Sequence, residues 1–176
     1  MFDRIKAKIR GTIDLKQLKK DGLTVGENFH AQEGVIIDPG HCWLISIGNN
    51  VTLAPRVHIL AHDASTKIPL GYTKIGTVSI GNNVFIGAGT IILPSVSISD
   101  NVIVGAGSVV ANSLASGIYV GSPCVKIAEY DAWVMKQKEK MEKLPIFDSS
   151  YIIGSINDDK KKTMKELVEP CGGFVL

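Results

Sequence analysis

Residues 80–115 read IGNNVF IGAGTI ILPSVS ISDNVI VGAGSV VANSLA, six hexads without a break. Their leaders are Ile80, Ile86, Ile92, Ile98, Val104 and Val110. Upstream, IGNNVT, LAPRVH and ILAHDA start at Ile47, Leu53 and Ile59, and Val25, Ala31, Ile37 and Trp43 keep the same step further back. The fifth position is mostly apolar too, as at Phe29, Val35, Val51, Val57, Val84, Val96 and Val102. A helix has a period of about 3.6 and a half-buried strand a period of 2. Period six instead fits short straight segments joined by turns, with the leader pointing inward and Gly or Asn at the corner. Successive coils then stack by parallel pairing, which predicts an all-β solenoid, a parallel β-helix of hexapeptide repeats. With three hexads per coil the repeat makes a little over four coils, a prism about 20 Å long at about 4.8 Å per strand step.

The register breaks twice. Trp43 to Ile47 is a step of four, and Ile59 to Ile80 exceeds three hexads by three residues. Breaks in a regular solenoid are where loops leave it, and loops carry function. The second break holds HDASTKIPLGYTK, with Lys67 and Lys74.

The flanks differ in composition. Residues 23–125 carry 8 charged residues and 13 of the 18 glycines, against 10 charged residues in 1–22 and 18 in 126–176. This divides the chain into an N-terminal helical cap (1–22), the repeat (23–126, with a loop at 60–79) and a charged, partly helical extension (127–176). Phe2, Ile5, Ile9, Leu15 and Leu18 follow helical spacing, and helices are expected near 128–143 and 158–169.

The 176 residues fit one core domain. A net charge of +2 lacks the basic excess of a nucleic-acid binder. No run reaches the roughly 18 apolar residues of a membrane span. MFDRIKAKIR lacks the apolar stretch of a secretory signal. Cys42, Cys124 and Cys171 are scattered and odd in number, which speaks against a disulfide framework or a structural zinc site. A cytoplasmic protein is expected.

GNNVFIGAGTIILPSVSI, VGAGSVV and GSPCVKI resemble the hexapeptide-repeat acyltransferases of the maltose and galactoside O-acetyltransferase type. LAPRVHILAHDASTK and LGYTKIG are similar in particular to the sugar O-acetyltransferases of capsule, exopolysaccharide and lipopolysaccharide biosynthesis. The likeness covers about residues 20–127, and the tail GGFVL shares it. It implies a left-handed coil, although parallel crossovers are right-handed by default. It also implies a homotrimer with sites at subunit interfaces, an acetyl-CoA donor and a sugar hydroxyl as acceptor.

The chemistry needs a base for the hydroxyl and donors for the oxyanion. His62, where similar enzymes place their catalytic histidine, is expected to be the base. Asp38 and Asp63 are candidate acceptor contacts, with His41 a weaker one. Ala88 resembles the position whose amide meets the acetyl carbonyl, and Ala106 the next amide contact along the pantetheine arm. Phe85 stands where the family often has Trp. Ala111, Asn112 and Ser113 replace the usual Thr-Lys-Asp, so the CoA-phosphate lysine is missing, and Lys126 comes one place late as a substitute. His58 and His62 have i, i+4 spacing but no nearby third ligand, so no metal is expected. An N-acetyltransferase of an amino sugar, a xenobiotic acetyltransferase and a non-catalytic hexapeptide scaffold are the competing readings.

Overall fold

The computed structural model describes residues 13–176. The part of the expected helical cap that falls on residues 1–12 lies outside them. The chain divides into two compact units, one ending at Tyr130 and one starting at Asp131.

In the first unit, helix α1 (Leu15–Lys20) is followed by short strands that visit three sheets in rotation. Strands β1 (Thr24–Val25), β4 (Ile45–Ile47), β9 (Val78–Ile80) and β12 (Ser97–Ile98) form the first sheet. The second holds β2 (His30–Ala31), β5 (Val51–Leu53), β10 (Val84–Ile86), β13 (Val102–Val104), β15 (Gly117–Gly121) and β16 (Cys124–Ala128). The third holds β3 (Ile36–Ile37), β6 (His58–Ile59), β11 (Ile91–Ile92) and β14 (Val109–Val110). All neighbours pair in parallel except β15 with β16, which is antiparallel. A chain that steps through three parallel sheets in fixed order is a three-sided coil.

The repeat leaders form the core. Ile47 aligns with Ile80 and Ile80 with Ile98, Leu53 with Ile86 and Ile86 with Val104, and Ile59 with Ile92 and Ile92 with Val110. All are buried. Burying each such side chain contributes about 1.5–3 kcal/mol of transfer free energy. Trp43 departs from the hexad reading. It is 58% exposed, and its neighbour Cys42 takes the buried place. The two-residue deletion there turns Cys42–Leu44 into a 3-10 turn, which rotates Trp43 out of the ladder.

One corner is an asparagine ladder. Asn28, Asn50, Asn83 and Asn101 all adopt φ of 52–57°, the left-handed conformation asparagine tolerates better than most residues. Their amides join in sequence, Asn28 Nδ2 to Asn50 Oδ1 at 2.9 Å, Asn50 Nδ2 to Asn83 Oδ1 at 3.0 Å and Asn83 Nδ2 to Asn101 Oδ1 at 3.1 Å. Beside them Asn49, Asn82 and Asp100 each accept a backbone N–H from the coil before.

The long insertion lies between β6 and β9. It folds as an antiparallel pair, β7 (His62–Asp63) with β8 (Lys74–Ile75), enclosing a 3-10 turn (Ala64–Thr66) and the short helix α2 (Lys67–Leu70). In the second unit, helix α3 (Tyr130–Met141) leads to a parallel pair, β17 (Ile146–Phe147) with β18 (Phe174–Val175). Helix α4 (Asp158–Val168) is capped by the Asn157 side chain on Lys160 N–H. Lys160 reaches back to donate to Ser150 Oγ at 2.6 Å. No helix among the described residues is long and apolar enough to cross a membrane.

Candidate active site

Both register breaks converge on one point. Asp38 follows β3, just before the first break, and His62 opens the hairpin of the second. His62 Nδ1 lies 2.5 Å from Asp38 Oδ2. The same oxygen accepts the Ala61 N–H at 3.0 Å, and Oδ1 accepts the Gly40 N–H at 3.0 Å. Asp38 is 1% exposed. Burial works against its charge, but the bond from His62 and the two backbone N–H groups outweigh it and hold the carboxyl below its ordinary value. An ionised carboxylate only accepts, so His62 Nδ1 carries a proton, and in the neutral ring Nε2 is the nitrogen with a free lone pair. That is the tautomer a general base needs.

Asp38 therefore stands behind His62. With its side chain buried and both oxygens committed, it is not placed to meet a sugar, as the sequence reading expected. A carboxylate two residues past a hexad leader looks like a turn aspartate in sequence. Its partner across the coil becomes visible only when β3 pairs with β6.

His41 completes the cluster. Its ring centroid is 5.0 Å from that of His62 and 5.4 Å from that of Trp43. Its Nδ1 is 3.8 Å from Asp38 Oδ1, too far for a hydrogen bond, and is buried without a partner. An unpaired buried polar atom costs about 1–3 kcal/mol. Asp38, His41 and His62 are also the described side chains whose ligand atoms come close enough to share a metal ion.

His62 lines a cleft of about 490 Å³ with Leu60, Asp63, Lys74, Leu93 and Ala111 among its walls. Leu60, Leu93 and Ala111 are stacked, since Leu60 N–H bonds Ile92 O and Leu93 N–H bonds Val110 O. Asp63 spends one oxygen on the Ser65 N–H, which lowers its pKa, and keeps a side in the cleft. Lys74 was singled out in the sequence only as a loop lysine, and the hairpin brings it beside Asp63.

The remaining donor-site candidates lie outside this cleft. Ala88 and Ala106 turn the corner from the second sheet to the third, while Leu60, Leu93 and Ala111 turn from the third back to the first. Ala88 sits in a tight turn closed by Thr90 N–H on Gly87 O, with Gly89 at φ 68°. Both alanines are exposed, and neither N–H has an acceptor among the described residues. Phe85 projects from the middle of β10, 43% exposed. Asn112 is exposed on the turn after Ala111. Lys126 on β16 is tied to Glu129 at 2.6 Å, so its amine is partnered within the chain.

Three parallel sheets built from six-residue repeats define a hexapeptide-repeat domain. The chain carries the bacterial transferase hexapeptide (six repeats) over residues 77–112. It is 42% identical over 105 residues to protein CapG of Staphylococcus aureus, covering 57% of this chain and 61% of that protein. It is 40% identical to a maltose O-acetyltransferase of Clostridium difficile 630, with a TM-score of 0.54 over 61% of this chain and 59% of that one. A hexapeptide-repeat acetyltransferase of Vibrio cholerae, 18% identical, shares the fold with a TM-score of 0.50 over 73% of this chain and 88% of that one. The chain thus spans about three fifths of the length of CapG and of the maltose enzyme. These two structural neighbours, the Clostridium difficile and Vibrio cholerae proteins, are acetyltransferases.

Proposed function

We propose that the chain is an acetyl-CoA-dependent O-acetyltransferase acting on a sugar hydroxyl in polysaccharide biosynthesis, with His62 as the general base. The Asp38–His62 pair carries the reading, because a ring that donates from Nδ1 to a carboxylate has Nε2 left to accept a proton, and His62 lines a cleft. The sequence resemblance supplies the donor, the acceptor class, the left hand of the coil and the trimer.

The acceptor hydroxyl gives its proton to His62 Nε2 as its oxygen attacks the thioester carbonyl. The resulting imidazolium is stabilised by the ionised Asp38 behind it. The tetrahedral oxyanion takes a hydrogen bond from an open backbone N–H, that of Ala88. The intermediate then collapses, the C–S bond breaks, and His62 returns the proton to the CoA thiolate. Base catalysis of this kind contributes about 10²–10⁴-fold. Ala88 and His62 occupy different corners of one chain, so the Ala88 amide comes from a neighbouring copy. A site shared in this way needs a closed ring of copies, in keeping with the trimer that the resemblance implies. His41 and the exposed Trp43 extend the site as a row of rings, flat faces suited to a pyranose.

The test is release of free CoA from acetyl-CoA against a panel of mono- and oligosaccharides, amino sugars and chloramphenicol. Sugar-dependent turnover that falls by about 10²-fold or more in His62→Ala supports the reading. Turnover only with amines or with chloramphenicol moves it to the N-acetyl or xenobiotic class. No turnover, together with no calorimetric binding of acetyl-CoA, overturns it in favour of a scaffold.

A further inference from the structure

The base and its carboxylate account for two of the three side chains that meet at the register breaks. The third, His41, brings a buried Nδ1 with no partner to 3.8 Å from Asp38 Oδ1. We propose that Asp38, His41 and His62 form a site for a divalent cation of the zinc class, and that its occupancy switches the enzyme off by imposing the wrong tautomer on His62. The switching half rests on His62 being the base, whereas the binding half does not.

Two imidazoles and a carboxylate are a donor set of the kind Zn²⁺ and Co²⁺ accept. Their ligand atoms all lie within 4.8 Å of one another. A tetrahedral ion with bonds of about 2.0–2.2 Å holds its ligand atoms roughly 3.3–3.6 Å apart. The two rings face different oxygens of Asp38, His41 Nδ1 at 3.8 Å from Oδ1 and His62 Nδ1 beside Oδ2, so sharing one ion through a single oxygen needs shifts of about 1 Å in the rings and the carboxylate. The carboxylate is oriented as metal ligands usually are, by the N–H groups of Ala61 and Gly40. No lysine or arginine pairs with Asp38 among the described residues, so no side-chain cation competes for it. The imidazoles remain 29% and 39% exposed, which leaves a way in.

Coordination uses the Nδ1 lone pair of His62. The Nδ1 proton is lost and one is gained at Nε2, with no net change in protons. Nε2 then donates and cannot take the hydroxyl proton. The orphaned nitrogen of His41 gains a partner in the same event.

The full chain, freed of metal with a chelator, is titrated with Co²⁺, read by its visible d–d bands, and with Zn²⁺, read by competition with a chromogenic chelator. One ion per chain is expected. His41→Ala removes a direct ligand and is expected to weaken binding by at least about 100-fold, the upper end of what losing a residue that only hydrogen-bonds a ligand costs. His58→Ala, which removes a histidine outside the cluster, is expected to keep the wild-type affinity. Nitrogen-15 correlation spectra of the wild type read the tautomer directly, with His62 Nε2 unprotonated without Zn²⁺ and protonated with it. Equal binding by wild type and His41→Ala, no binding by the wild type, equal loss in His58→Ala, or an Nε2 that stays unprotonated with Zn²⁺ bound would each overturn the proposal. If the ion binds as described but His62→Ala keeps full transfer, the base assignment fails and the binding site stands. If His62→Ala abolishes transfer and no ion binds, the base stands and the site fails.

Discussion

His62 and Asp38, twenty-four residues apart, meet because β3 and β6 are neighbours in the third sheet. The bond is side chain to side chain, from a loop that leaves the coil to a turn that stays on it. It decides which imidazole nitrogen holds the proton.

Asp38→Asn tests that relationship. The amide is close in shape, but it supplies an N–H donor as well as an acceptor, so the ring proton is no longer fixed on Nδ1. In the serine protease triad the corresponding change lowers kcat by about 10⁴-fold. Here kcat is expected to fall by at least about 10²-fold, with the KM for acetyl-CoA little changed. A merely structural role would leave the pH profile of the residual activity as in the wild type. A positioning role shifts its acid limb.

The same carboxyl sets an acid limit on stability. Its folded pKa is lowered, so its contribution is present above the ordinary carboxylate range and is lost as pH falls through the lowered folded value. Thermal denaturation followed from about pH 7 to pH 3 is expected to show Tm dropping below about pH 4. Asp38→Asn should be less stable at pH 7 and flatter through that acid window.

The fold was legible in the sequence to an unusual degree because its core is a ladder. Every leader from Ile47 to Val110 that keeps period six is buried. Period cannot see through a deletion, however, and Trp43, which keeps the numerical step, is turned out to solvent while Cys42 goes in. The site was legible only in part. His62 and the loop stood out as a break in the repeat. The role of Asp38 did not, because a contact between adjacent coils has no spacing of its own once residues have been added or removed. His41 was visible as a weaker candidate for the acceptor cleft, and its place beside the His62 ring was not.

The asparagine ladder gives a graded test of stability. Asn83→Ala forfeits two amide bonds and places a Cβ-bearing residue without a polar side chain at φ 55°. Left-handed backbone costs such a residue about 1–2 kcal/mol. Asn83→Gly forfeits the same bonds without that strain. Urea denaturation is expected to rank wild type above Asn83→Gly and Asn83→Gly above Asn83→Ala, the last step being about 1 kcal/mol. Equal loss in the two variants would mean that only the bonds matter.

Trp43 offers a probe of the acceptor. The chain has two tryptophans, Trp43 and Trp133, so Trp133→Phe leaves Trp43 as the sole indole reporter. Under the proposed function its fluorescence is expected to respond to a saccharide that supports turnover and not to acetyl-CoA alone. Trp43→Ala should raise the acceptor KM by about tenfold, the loss of one aromatic contact of roughly 1 kcal/mol or more, while the acetyl-CoA KM stays put.

The open Ala88 amide, the proposed oxyanion donor, can be removed without disturbing the coil. Ala88 stands at the turn position that favours proline, and Pro55 occupies the equivalent place one coil earlier, accepting the Gly89 N–H on its carbonyl. Ala88→Pro therefore should fold, lose the open N–H and lose about 10²–10³-fold in kcat. Subunit mixing then locates the site. His62→Ala and Ala88→Pro are each inactive alone under the proposed mechanism. If every site takes its base from one copy and its amide from the next, trimers reassembled at random from equal amounts contain some sites with both groups intact. About one quarter of the wild-type activity is expected to return, since each of two independent places must be filled by the right variant. If both groups served the same chain, no mixture would recover activity, because every chain would lack one of them. Recovery measured against mixtures that were never dissociated separates assembly from simple addition.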